Sequence, residues 1–172
     1  NLGYLYAMGH GVEQNWAKAA HWYQTSAKQG YSWAQCNLGW CYEQGRGVVK
    51  SLEQAARWYR LAAEQGDDTS QHNLGYLYER GLGVARDWTE AVKWYRASAD
   101  QGYADAQFRL GRCYELGTGV PQDLDRALEL YRAAAAQKHT SAREALNRLQ
   151  KPGSKSRGGG FLRRLFDGRG GR

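Results

Sequence analysis

Four histidines and three cysteines are the residues of this 172-residue chain best suited to chemistry. Nucleophilic catalysis needs a nucleophile within reach of a base, and a metal site needs several ligands brought to one point. His10, His21, His72 and His139 stand at unrelated positions, and no two are spaced to share a helix face. Cys36, Cys41 and Cys113 are an odd number at irregular spacing, which argues against a disulfide framework. Cys36 and Cys41 are five apart with no second pair, so they do not make a metal site. The Gly-x-Gly strings at 9–11, 45–47, 81–83 and 117–119 lack the third glycine and the lysine of a phosphate loop. The chain is therefore read as having no catalytic residue, no metal and no cofactor.

What remains is recognition, and recognition depends on the elements that carry it. Leu2, Leu38, Leu74 and Leu110 recur every 36 residues, each followed at once by glycine (Gly3, Gly39, Gly75, Gly111) and three later by tyrosine (Tyr6, Tyr42, Tyr78, Tyr114). Each copy then carries its Gly-x-Gly, an alanine (Ala19, Ala55, Ala91, Ala127) and an aromatic pair. That pair is Trp22-Tyr23, Trp58-Tyr59 and Trp94-Tyr95, weakened to Leu130-Tyr131 in the fourth copy. Cys41 and Cys113 fall where the other copies have Leu5 and Leu77, so they read as small buried hydrophobes. Periodicity of this kind is the mark of a stacked repeat.

Each period reads as two helices. In the first, over 32–44, Ala34, Leu38 and Tyr42 are spaced by four and share one face. Gly39 beside that stripe costs helix stability, so a packing reason is expected: close approach of the partner helix. The first glycine of Gly-x-Gly is placed to end the helix in a left-handed conformation, and the second to allow a tight reversal. Asn15, Ser51, Asp87 and Asp123 are the N-cap residues of the second helix, with Gln54 and Glu90 at capping-box spacing. Gly30, Gly66 and Gly102 end it, with Lys138 in the fourth copy. One such pair buries too little to stand alone, so stability comes from stacking.

These motifs closely resemble the Sel-one-like repeats, relatives of the tetratricopeptide repeat, over residues 1 to about 146. The resemblance rests on the Ala–Leu-Gly–Tyr series, the Gly-x-Gly-Val connection and the Ala–Trp-Tyr series. It implies an all-α fold, a right-handed α/α superhelical solenoid whose first helices line the concave side. It also implies a non-catalytic scaffold or adaptor that binds a partner protein or peptide in that groove. The residues it places there are Tyr4, Trp40, Tyr76 and Arg112, then Cys36, His72, Phe108 and Glu144, then Met8, Gln44, Arg80 and Leu116. Asn1, Asn37, Asn73 and Arg109 stand beside them, and an asparagine row suits a peptide backbone because each amide donates and accepts. Trp40, His72, Arg80, Phe108 and Arg112 depart from the letters usual in the family. With Asn37, Asn73, Tyr76 and Arg109 they form the candidate partner-binding set. Glu43, Glu79 and Glu115 read instead as a row of solvated charge. Some cysteine-rich members of the family have been proposed to bind or cleave β-lactams; this chain lacks their paired cysteines. A bacterial envelope or cell-wall-associated β-lactam-binding enzyme is the alternative that this part of the family implies.

The two ends differ in composition. Ala142, Ala145, Leu146 and Leu149 continue the period as one more first-type helix, suited to capping the stack. The chain opens in mid-motif at Asn1, and the expectation is that further residues, with more repeats, precede it. Residues 1–150 are thus one solenoid domain of about four repeats. They hold 17 basic and 16 acidic side chains, whereas residues 151–172 supply +6 of the net +7. This Gly/Arg-rich segment, KPGSKSRGGGFLRRLFDGRGGR, is disordered by composition. As an alternative function it offers a tether to nucleic acid through its Arg-Gly-Gly strings, or to an anionic membrane through FLRRLF. Two such strings and a neutral body argue against nucleic acid. No run of about 18 apolar residues is present. The compartment stays open between bacterial cytoplasm and periplasm or envelope, as does the oligomeric state.

Overall fold

The computed structural model describes residues 2–150, so the expectations for Asn1 and the basic tail lie outside the described residues. Nine α-helices follow one another: α1 Leu2–Met8, α2 Trp16–Lys28, α3 Ser32–Gln44, α4 Leu52–Glu64, α5 Asp68–Arg80, α6 Trp88–Asp100, α7 Ala104–Leu116, α8 Leu124–Ala136 and α9 Thr140–Gln150. The extensive helix contacts all join consecutive helices, as in a solenoid. Odd-numbered helices are the first of each pair and even-numbered ones the second.

Local chemistry explains the boundaries. Asn15, Ser51, Asp87 and Asp123 each accept a backbone N–H of the following turn through their side chains. The reciprocal half of the capping box does not form, because the cap N–H groups are already used. They donate to the carbonyls of Tyr6, Tyr42, Tyr78 and Tyr114, 2.9–3.1 Å away. The connection thereby stitches each second helix to the end of its first. Gly45, Gly81 and Gly117 end α3, α5 and α7 at φ of 66–71°, the left-handed conformation expected of them. Lys138 takes the same sign of φ, at 68°, in the place of the helix-ending glycines.

Side-chain packing assigns the repeated letters. Tyr59, Tyr95 and Tyr131 are 0% exposed and Tyr23 3%. A Cβ on Gly3, Gly39, Gly75 or Gly111 would stand 2.8 Å from the ring of the tyrosine opposite. Those glycines therefore make room for a ring as well as for the approaching backbone. The aromatic pair divides its work: the tyrosine is core, while Trp22 is 40% exposed and Trp58 and Trp94 are half-buried. This is why the fourth copy can hold Leu130 yet keeps Tyr131. Cys41 and Cys113 are buried and free, packed among core residues as hydrophobes. Ala142 and Ala145 of α9 close the last cluster with Tyr131 and Ala134.

Two rows of glutamine join neighbouring repeats. Gln35, Gln71 and Gln107 are at most 8% exposed, and each donates to a carbonyl of the preceding second helix: Ala27, Ala63 and Ala99. Each in turn accepts from Gln65, Gln101 or Gln137 at 2.7–3.0 Å. Buried amides in a repeated register fix one repeat against the next, because a slip would leave several polar groups unpaired.

Candidate functional site

The outward stripe of the first helices is the candidate site. On α3 it runs through Trp33, Asn37, Trp40 and Gln44, at steps of four, three and four residues. On α5 the same positions hold Thr69, Asn73, Tyr76 and Arg80, and on α7 Asp105, Arg109, Arg112 and Leu116. Tyr4 and Met8 extend it onto α1. Large apolar side chains stand exposed along it: Tyr4 39%, Met8 48%, Trp33 42%, Trp40 39% and Leu116 61%. Arg80 and Arg112 are also exposed. One end of the stripe is thus aromatic and the other is cationic.

The candidate residues do not all share this exposure. Trp40 packs on Trp16, with ring centroids 5.5 Å apart. Asn37 donates its amide to the Trp33 carbonyl of its own helix at 2.7 Å, so that donor is turned inward. Tyr76 carries the Arg109 guanidinium over its ring, 5.2 Å from the centroid. His72 lies between the rings of Tyr95 and Tyr103, 5.7 and 5.2 Å away. Phe108 lies similarly between Tyr131 and His139. His72, Phe108 and Arg109 do line one shallow open pocket with Asp105, His139 and Ser141. Cys36, offered for the groove on its repeat position, is partly buried against the core of α4 and α5.

The glutamates correct the reading of a solvated row. Glu43, Glu79 and Glu115 accept the hydroxyls of Tyr59, Tyr95 and Tyr131 at 2.7, 2.6 and 2.6 Å. Glu79 also takes Arg109 at 3.2 Å, and Glu115 takes Arg148 at 2.6 Å. Only 13% and 11% of these two carboxylate side chains is exposed. The cause is placement: each glutamate stands four residues, one helical turn, past the glycine that faces the buried tyrosine, and so meets its phenol. Burial alone would raise the Glu115 carboxyl, but the bonds from Arg148 and Tyr131 outweigh it and hold it below the ordinary value.

Trp33 and the glutamine rows were not found by sequence reasoning. Trp33 has Thr69, Asp105 and Ser141 at its repeat positions, so no recurrence marks it; its spacing to Asn37 and Trp40 is the available signal. Glutamine recurrence at 36 was present for both rows.

Among the described residues no group of histidine, cysteine, aspartate or glutamate could hold a metal. Nor is any described helix long and apolar enough to cross a membrane. The fold defines an α/α repeat protein whose first helices carry one continuous exposed face. The Sel1 repeat model matches residues 1–31, 34–67, 69–103 and 104–139, and the chain belongs to the Sel1 repeat family. A Sel1 repeat protein from Oxalobacter formigenes is 39% identical at a TM-score of 0.80, over 86% of this chain. This chain spans 60% of that structure's length. Helicobacter pylori cysteine rich protein B is similar in fold, at 20% identity and a TM-score of 0.62 over 80% of this chain and 99% of that one. A comparison with curated proteins gave no match. Sel1 repeat proteins are in general protein-interaction scaffolds without catalytic machinery of their own.

Proposed function

We propose that this chain is a scaffold that binds an extended segment of a partner protein along the outward stripe of its first helices, the concave side of the solenoid. The observation that carries the reading is the line of exposed side chains from Tyr4 through Trp33 and Trp40 to Arg80, Arg112 and Leu116. Rigid aromatics and arginines are the side chains that most often anchor interfaces. Exposed apolar side chains that follow one another along a face, as Tyr4, Trp33 and Trp40 do, mark interaction sites, whereas one that stands singly, such as Trp22, does not. Asn37 through its side-chain carbonyl, Asn73, and Tyr76 with Arg109 over its ring supply polar contact between those anchors, while His72 and Phe108 form the floor and wall beside them.

The test is capture of a partner from the source cells by the full chain and by the Trp40→Ala, Arg112→Ala double variant. The double variant is expected to lose the captured protein while keeping its helical circular dichroism. Substitution of Trp22 and Leu61, exposed on second helices, is expected to leave capture intact. Capture that survives the first pair and fails with the second overturns the proposal.

A further inference from the structure

We infer that Glu43 and Trp40 form a receptor for an arginine side chain of the partner protein. The inference deepens the groove reading above and rests on it for the source of that arginine. Its warrant is a template inside the chain. Arg109 donates to both carboxylate oxygens of Glu79, at 3.2 and 3.4 Å, and lies over the Tyr76 ring. The same carboxylate is held from its other side by the Tyr95 hydroxyl. One repeat later Glu115 is held by Tyr131 and receives Arg148. Two of the three glutamates therefore carry a tyrosine donor and an arginine.

The third does not. Glu43 is held by Tyr59 at 2.7 Å, partly buried like its counterparts, and no ion pair reaches it among the described residues. Asn73 stands 36 positions before Arg109, where the cation would come from, and Trp40 stands 36 positions before Tyr76. Trp40 is 39% exposed, whereas Tyr76 lies half-buried beneath its guanidinium. The nearby Arg46 lies instead over the Trp16 ring. An oriented carboxylate with free acceptor positions, next to an indole that packs on Trp16 yet stays 39% exposed, matches a guanidinium: a planar fork that bonds carboxylate and stacks on aromatics. An ammonium offers the charge without the fork or the plane.

The test uses the full chain, a small probe and the Trp40 indole N–H signal in NMR. The probes are N-acetyl-arginine amide, N-acetyl-lysine amide and N-acetyl-citrulline amide, titrated to about 100 mM. The arginine probe is expected to shift the Trp40 signal saturably, the lysine probe severalfold more weakly, and the citrulline probe not at all. Glu43→Gln is expected to weaken the arginine probe by about tenfold, the loss of one charge-assisted bond. Asn73→Arg places the cation within the chain, so it is expected to block the probe and raise the melting temperature; this variant gains a contact, so failure to fold does not cloud the result. Equal response to arginine and citrulline, or undiminished binding by Asn73→Arg, overturns the inference. Replacement of Arg157, Arg163, Arg164, Arg169 and Arg172 by Gln is expected to leave probe affinity unchanged. A tenfold gain there would assign the site to the chain's own C-terminal segment and overturn the partner as its source. Because the probe needs no partner, partner capture is read separately: capture unaffected by the Trp40→Ala, Arg112→Ala pair counts against the groove and against the partner as the source of the arginine, while the probe titration alone decides whether Glu43 and Trp40 receive a guanidinium.

Discussion

The backbone of Gly47 lies directly against the carbonyl of Trp16, so closely that a Cβ on Gly47 would overlap it. Gly83 meets Leu52 and Gly119 meets Trp88 in the same way. The second glycine of these three connections is thus where one repeat touches the start of the preceding second helix. Gly11 has the same backbone, at φ of 73° against 72° for Gly47, and nothing within 4 Å. The two positions separate conformational strain from steric contact. Gly11→Ala is expected to cost about 1 kcal/mol, the left-handed penalty alone. Gly47→Ala adds a displacement of two repeats, worth about 2 kcal/mol more. Urea melts of the two variants check this, and equal costs would contradict it.

Gly75 faces the ring of Tyr95, with a Cβ at 2.8 Å from two ring carbons and 3.2 Å from the Ala91 carbonyl. Helix propensity alone favours Gly75→Ala by about 0.5–1 kcal/mol. Overpacking against a ring that is fully buried is expected to reverse the sign, for a net loss of about 1–3 kcal/mol. Displacing Tyr95 also moves the donor that positions Glu79 and, through it, Arg109. The variant should therefore show both a lower melting temperature and a changed Tyr95 environment in near-ultraviolet circular dichroism. A stabilised protein would show that the tyrosine can yield.

Gln71 donates to the Ala63 carbonyl and accepts from Gln101, which also donates to the Gly66 carbonyl. Gln71→Leu removes the donor and the acceptor at once, and is expected to cost about 1–3 kcal/mol. Gln101→Leu added to it should cost less than the sum, because one lost bond is counted in both single variants. Strict additivity in a double-mutant cycle would show that the two amides do not act as a pair.

Much of this architecture could be read from recurrence. A residue that does the same job in every copy, such as Leu38, Gly39 or the Asp87 cap, repeats at 36 and so declares itself. The candidate face was less legible, for the same reason reversed: Trp33 has Thr69 in the next copy, so no repetition marks it, whereas Trp40 stands in an aromatic row with Tyr4 and Tyr76 and was picked out. Glu43, Glu79 and Glu115 did recur, and the recurrence was misread, because helical spacing places a side chain on a face without saying what reaches it from the next helix. Only the crossing of paired helices brings Tyr59 to Glu43, sixteen residues away. His72 was picked for its unusual letter, yet its two tyrosine neighbours come from α6 and the start of α7, which no local pattern links to it.

That enclosure of His72 makes stability depend on pH. Burial pushes its imidazole down to about 4; Asp105 pulls the other way, Arg109 adds to the depression and Glu79 opposes it. Its Nδ1 is buried with no hydrogen-bond partner, so the neutral ring is what the fold accommodates. The unfolded chain takes up this proton first as acid is added, since its own value is near 6.5. Stability from this group is complete above about pH 6.5 and is lost as pH falls toward 4, by at most about 1.4 kcal/mol per pH unit. Alkali acts through the phenols: burial, with Cys41 and Tyr4 adding to it, pushes Tyr23 up to about 12. Burial and the carboxylates of Glu43, Glu79 and Glu115 raise Tyr59, Tyr95 and Tyr131 as well. Unfolded tyrosines lose their protons near pH 10, so stability falls as pH rises beyond that value. Urea midpoints measured from pH 4 to 11 should trace a plateau between the two declines. In the His72→Phe variant the acid decline between pH 6.5 and 4 should become shallower, while the alkaline one stays in place. An acid limb of the same steepness in both proteins would mean that carboxylates alone produce it.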